Sequence, residues 1–367
     1  MKILRILKKL INGEVFSELV SLIRLKSYNS ELIVFYCSDL KDEIYIRSSY
    51  KLIKETNKNT VLIISSNKRQ NNLAYYPLSI SLLKFVNAKI IISPSTGVGR
   101  QYLPSNCKEF IHMPHSLVSM NMVYDANAIK SFTRFFVCGN YQSKEIQEID
   151  KILDISPRPC KVVGYGKSDE IIKASKSLEI NKKLVVMAPS WGKKGLLETL
   201  GIKIIEKLLN ENLEVCLRPH PAYLKEGNKF LINLKEIFKN NDKFFIEDSS
   251  VSSSLDRAAL LISDYSGVSF EYIFMRNIPT LFVDVELKIN NKFFQKCKNV
   301  PVEVAWREDL GTLAKPIPDE IVQSALNILS SNEPISDKIN RYKNDILWDG
   351  KCSVRVKEEV FKIIDRI

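Results

Sequence analysis

Histidine is scarce in this 367-residue chain, with three in all, and the seven cysteines include no CxxC pair. An odd, dispersed set of that kind excludes a disulfide framework and a zinc ribbon. Reduced thiols in apolar, strand-like runs are expected instead. Long hydrophobic runs are missing too. Stretches such as Thr60–Ser65 and Ile90–Ile92 fall far short of the ~20 residues that span a bilayer. Thirteen glycines and fourteen prolines are too few for a fibrous or low-complexity chain. There is no Walker A loop, no GxGxxG after a strand, no HExxH and no clustered carboxylate pair, so no metal or cofactor is called for. An RNP signature, a zinc finger, a helix-turn-helix and a basic stripe with interleaved aromatics are equally absent, which argues against a nucleic-acid partner.

What is present is an ordinary globular composition, 45% hydrophobic and 26% charged, with a net charge of +12. At ~100–200 residues per domain this length suggests two domains. The charge is concentrated at the start, where Lys2, Arg5, Lys8, Lys9, Arg24 and Lys26 face only Glu14 and Glu18. Ile3, Leu4, Ile6, Leu7, Leu10 and Ile11 recur at helical spacing, so residues 1–26 read as a basic amphipathic helix. Two placements stay open for it, on an anionic membrane surface or packed on the protein with its lysines solvated. Charges run through the stretch where a signal peptide would be apolar, so the expected location is cytoplasmic, peripheral on the inner face of the plasma membrane.

Short apolar runs, among them Ile33–Cys37, Val61–Ser65, Leu184–Ala188, Leu213–Leu217, Ala259–Ile262 and Thr280–Val283, alternate with helical patterns such as Ser143–Leu153 and Leu196–Asn210. That alternation predicts doubly wound α/β sheets with parallel strands. The divide is expected near Ile155–Lys183, giving domains at 27–160 and 161–330. The helical tail, 331–367, carries Trp348 and Phe361 and should pack back. In such sheets ligands bind beyond the carboxyl ends of strands.

Several unusual segments fall there. In Leu213–Pro221 the apolar run ends at Arg218, and Pro219 and Pro221 clamp His220. Arginine offers a planar fork to phosphate oxygens and imidazole titrates near neutrality. The alternative is a turn with a hydrogen-bonded histidine. In Leu260–Met275 a strand ends at Ser263, a turn covers Asp264–Gly267, and a helix starts near Val268. The hydroxyls of Ser266 and Ser269 with the helix N-terminus suit an anion, although Ser266 is equally a capping residue. In Phe110–Ser119, His115 follows an apolar run, and it can deprotonate a hydroxyl if the two halves face one another. Ser190, in Ala188–Gly192, is placed to touch a diphosphate, while Trp191 is expected to pack at the domain seam. The Ser95–Gly99 loop is a weaker candidate for backbone amides on a ligand.

The clamped RPHP at Arg218–Pro221, followed roughly forty residues later by SDYSGVSFEY at Ser263–Tyr272 and then NIPTLFVD at Asn277–Asp284, resembles the CDP-glycerol glycerophosphotransferase family of teichoic acid and capsule polymerases. The APSW at Ala188–Trp191 is similar to that family's "aPTW" loop, and the resemblance is good over about Val185–Asp284. It implies the glycosyltransferase-B fold, two Rossmann-like domains facing a cleft, and transfer of glycerol phosphate from a CDP-linked donor to a lipid-linked or polymer hydroxyl with release of CMP. Arg218 and His220 would hold the donor diphosphate, with Ser263, Asp264, Ser266, Gly267 and Ser269 at its phosphates. His115, followed by Ser116, is the nearest match to the family's HGT-like base. The rivals are a CMP-sugar transferase of the sialic acid or Kdo type, a non-catalytic nucleotide-binding protein of a capsule assembly and, third, a sugar epimerase of the same fold.

Overall fold

The structure is a computed structural model and describes residues 14–65, 74–174, 179–224, 228–247, 253–278, 280–331, 336–342 and 345–367. The chain forms two units. One gathers residues 1–115, 124–174 and 345–367, the other 116–123 and 175–344.

The first unit is built on β1 (Leu32–Cys37), β2 (Thr60–Ile64), β3 (Tyr76–Pro77), β4 (Ala88–Ser93), β5 (Glu109–His112), β6 (Arg134–Val137) and β7 (Cys160–Val162). They lie side by side as β3-β2-β1-β4-β5-β6-β7, all parallel. LIVFYC of β1 and TVLII of β2 are buried at every position, as strands covered on both faces must be. β7 pairs with β6, so the chain through Ala174 goes with this first unit. The same unit takes in residues 345–367, and helix Cys352–Ile364 packs on helix Arg47–Thr56. Asp169 caps Cys352–Ile364 by accepting from the Cys352 and Ser353 N–H groups at 3.0 and 2.8 Å. Arg158, within the stretch where the divide was expected, forms a buried ion pair with Asp150, with Nε 2.8 Å from Oδ1.

The second unit repeats the plan with β8 (Asn181–Met187), β9 (Glu214–Leu217), β10 (Phe244–Ile246), β11 (Ala258–Ser263), β12 (Thr280–Val283) and β13 (Gly311–Ala314). Their order is β10-β9-β8-β11-β12-β13, again all parallel. In both sheets the winding reverses once, between β1 and β4 and between β8 and β11. That is where an open α/β sheet leaves a crevice at the carboxyl ends of its strands.

Residues 116–123 join the second unit through specific bonds. The Ser119 N–H donates to Glu303 Oε2 at 2.9 Å and the Val302 N–H to Ser119 Oγ at 2.8 Å. Asn121 Nδ2 donates to the Asn299 carbonyl and Asn291 Nδ2 to that of Asn121, both at 2.7 Å. Burial raises the Glu303 carboxyl to about 7.

Ile3 to Ile11 lie outside the described residues. The helix that follows, Glu14–Lys26, buries Leu25 and Ser21 and is tied down where the Ser79 N–H donates to Glu18 at 3.1 Å. Its other side leaves Phe16, Leu19 and Ile23 exposed at 72, 53 and 61%. No described helix is long and apolar enough to cross a membrane. All seven cysteines are free thiols.

Candidate functional site

The second unit's reversal point is assembled from three segments. After β8 the chain runs through Ala188–Gly195 into helix Leu196–Asn210. After β9 it runs through Arg218–Pro221, and after β11 through Asp264–Gly267 into helix Val268–Arg276. Strand order thus brings Ser190, Arg218, His220, Ser263, Asp264, Ser266, Gly267 and Ser269 to one edge of one sheet. His115 belongs to the other unit.

Asp264 ties the loops together. Its Oδ1 accepts from the Ser190 N–H at 2.6 Å and the Tyr265 N–H at 2.7 Å. Its Oδ2 accepts from the Ser190 hydroxyl at 3.0 Å and the Leu196 N–H at 3.2 Å. A buried carboxylate accepting four hydrogen bonds beside a helix N-terminus is a fastening. A carboxylate offers phosphate no donor, and this one faces the protein. Ser190 and Ser263 are likewise engaged within the protein. Both polar groups of Ser190 go to Asp264, and the buried Ser263 hydroxyl donates to the Ala188 carbonyl at 2.7 Å, locking β11 to the end of β8.

Arg218 is buried, and its N–H donates to the Met187 carbonyl at 2.8 Å, the last rung between β9 and β8. Pro219 has no N–H to continue the ladder, so the chain turns. The turn closes with the Tyr223 N–H on the His220 carbonyl at 2.9 Å. His220 Nδ1 accepts from the Ala222 N–H at 3.1 Å. A ring nitrogen that accepts holds no proton, so the proton sits on Nε2 and that atom is a donor.

At the third segment Gly267 precedes helix Val268–Arg276. A Cβ there would stand 2.4 Å from Ser116 Oγ and 3.3 Å from Val118 Cγ1. The 116–123 segment passes close to this glycine, so a side chain here would have to displace the Ser116 hydroxyl, a packing relation not foreseen from sequence. Ser269, in the first helical turn, is fully buried and its hydroxyl has no hydrogen-bond partner among the described residues. Ser266 is half-buried.

Trp191 closes the APSW segment. It is 43% exposed, its ring lies 6.0 Å from that of His220, and Lys288 Nζ stands 3.4 Å over its face. Gly192, at φ 133°, turns the chain beyond it, and its N–H donates to Tyr223 Oη at 3.1 Å. The Tyr223 hydroxyl in turn donates to Glu198 at 2.9 Å. Lys288 follows β12 and was not singled out from the sequence. Its position after a strand was the available signal, hidden among 54 basic residues.

In the first unit His115 Nε2 is 3.2 Å from the Tyr124 hydroxyl, with the rings of Tyr45, His112 and Tyr124 around it. Burial lowers its pKa to about 4. The imidazole is therefore unprotonated at neutral pH, the form a base requires. The Ser95–Gly99 loop follows β4 at that sheet's reversal point. There Ser95 Oγ accepts from the Ser38 N–H at 2.9 Å and lies 3.5 Å from Asp42, whose carboxyl burial raises to about 6.

Residues 131–295 match the family model described as CDP-glycerol:poly(glycerophosphate) glycerophosphotransferase. No curated protein matches the sequence. Among solved structures, the wall teichoic acid polymerase TagF is similar at 17% identity and a TM-score of 0.59, covering 100% of this chain and 97% of that one. The MnaA protein of S. aureus, solved with UDP, is similar at 11% identity and a TM-score of 0.59, covering 92% and 98%. A putative UDP-N-acetylglucosamine 2-epimerase from Listeria monocytogenes is similar at 12% identity and a TM-score of 0.59, with the same coverages. At these identities the likeness is one of fold. The chain is a glycosyltransferase-B-like α/β protein with two doubly wound parallel sheets.

Proposed function

We propose, starting from the match of residues 131–295 to the glycerophosphotransferase family, that the chain transfers glycerol phosphate, or a similar polyol phosphate, from a CDP-linked donor to a hydroxyl of a cell-surface polymer or lipid-linked acceptor. CMP is released. The observation that carries this reading is that the APSW, RPHP and SDYSG segments meet at the reversal point of one sheet, inside the matched region.

The donor diphosphate is assigned to Arg218, to the Nε2–H of His220, and to the hydroxyls of Ser266 and Ser269 with the N–H groups opening helix Val268–Arg276. The acceptor oxygen forms a bond to the β-phosphorus as the anhydride bond to CMP breaks, and charge on the departing phosphate is met by Arg218 and His220. In the first unit His115 is assigned to take the acceptor proton.

A thermal-shift panel of CDP-glycerol, CDP-ribitol, CMP-sialate, CMP-Kdo and UDP-sugars reads donor choice directly. Stabilisation by a CDP-polyol alone is expected. Stabilisation only by a CMP-sugar would transfer the chain to the runner-up reaction, and only by UDP-sugars would overturn both.

The ridge of Phe16, Leu19 and Ile23, with Arg24 and Lys26 beside it, is assigned to the membrane surface, where a lipid-linked acceptor would reside. Co-sedimentation with vesicles containing phosphatidylglycerol is expected at low salt and should weaken in the Phe16→Ser/Ile23→Ser double variant. Unchanged binding in that variant removes the ridge from the account.

A further inference from the structure

The phosphate-holding groups taken from the sequence motifs supply one buried guanidinium, Arg218, against a diphosphate. A second cation stands at the same reversal point on a different loop. Lys288 follows β12, the neighbour of β11, and its ammonium lies 3.4 Å over the indole of Trp191. That indole is part of the loop fastened by Asp264 and lies 6.0 Å from the His220 ring.

We propose that Lys288 is a donor-binding residue of this site, held on Trp191 so that its ammonium meets the diphosphate of a CDP-linked donor. The inference rests on the donor reading above.

Three observations support it. Lys288 makes no ion pair with any described residue. The nearby Asp264 carboxylate, which favours the charged lysine, already accepts four hydrogen bonds from other groups. An ammonium on an aromatic face keeps its charge while its long stem loses freedom in advance of binding. Burial also lowers the lysine to about 8, as expected for a cation short of water and of a full counter-charge. A phosphate supplies that counter-charge. Trp191 acts as a positioning residue, which explains why so large an apolar ring is left 43% exposed.

The test is calorimetric titration of the full-length chain and of Lys288→Met, Lys288→Arg and Trp191→Ala with CDP and, separately, CMP. Loss of one charge-assisted contact should weaken CDP binding by on the order of tenfold in Lys288→Met. CMP binding should fall by a smaller factor, because one phosphate fewer is presented. Arginine should restore most of the CDP affinity, and Trp191→Ala should reproduce part of the loss. CDP affinity in Lys288→Met equal to that of the native chain overturns the role of Lys288 and leaves the donor reading standing. A native chain that binds neither CDP nor CMP overturns both.

Discussion

Asp264→Ala is expected to destabilise the second unit by about 4 kcal/mol or more, because three N–H groups and one hydroxyl lose their acceptor inside a buried turn. Against a typical stability of ~5–15 kcal/mol, that loss removes most of the margin. The Leu196 N–H and both donors of Ser190 would seek water that their burial denies them, so the loop after β8 should detach before the sheet does. Chemical denaturation followed by Trp191 fluorescence reads both events, since Trp191 sits in that loop. Asp264→Asn keeps one oxygen and places an amide N–H group among donors, so it should recover less than half of the loss. An alanine variant with native-like stability would show that the four bonds do not hold the loop.

His220→Ala is expected to leave folding intact and to lower turnover by about 10³-fold, the scale on which removal of one charge-stabilising donor acts. The ring is half-buried, and alanine deletes the part-buried bond from the Ala222 N–H, an interaction worth about 1 kcal/mol. The catalytic loss should exceed the structural one if Nε2, left as a donor by that bond, meets the charge that develops as CMP departs, the role proposed for it. Release of CMP from CDP-glycerol, with stability checked in parallel, separates the two effects. Turnover within a few fold of the native chain would remove His220 from the reaction.

The alternating strand and helix pattern was legible because buried parallel strands are nearly continuous apolar runs, and helix Leu196–Asn210 matches its sequence expectation at both ends. β3, β5 and β13 were not read as strands. Tyr76–Pro77 is two residues long, and Gly311–Ala314 is short and only partly buried. Glu109–His112 begins and ends on polar residues. The meeting of the RPHP, APSW and SDYSG segments was legible, since each follows a strand and strand-following loops converge. The hydrogen-bond partners of these residues were not. A sequence motif does not show that Asp264 consumes Ser190, or that Ser263 is turned to Ala188. Nor does it show that Gly267 answers to Ser116, a residue 151 positions earlier. Lys288 escaped notice because its distinguishing property is the indole beneath it, a contact across 97 residues of chain.

The proposed reaction is tested most directly by CMP formation by the purified native chain given CDP-glycerol and a lipid-linked glycerol phosphate primer. CMP appearing in step with primer extension, and depending on that primer, is the predicted result. A chain that binds the donor yet releases no CMP with any polyol-phosphate acceptor contradicts the account and makes the protein a nucleotide-binding component rather than a transferase.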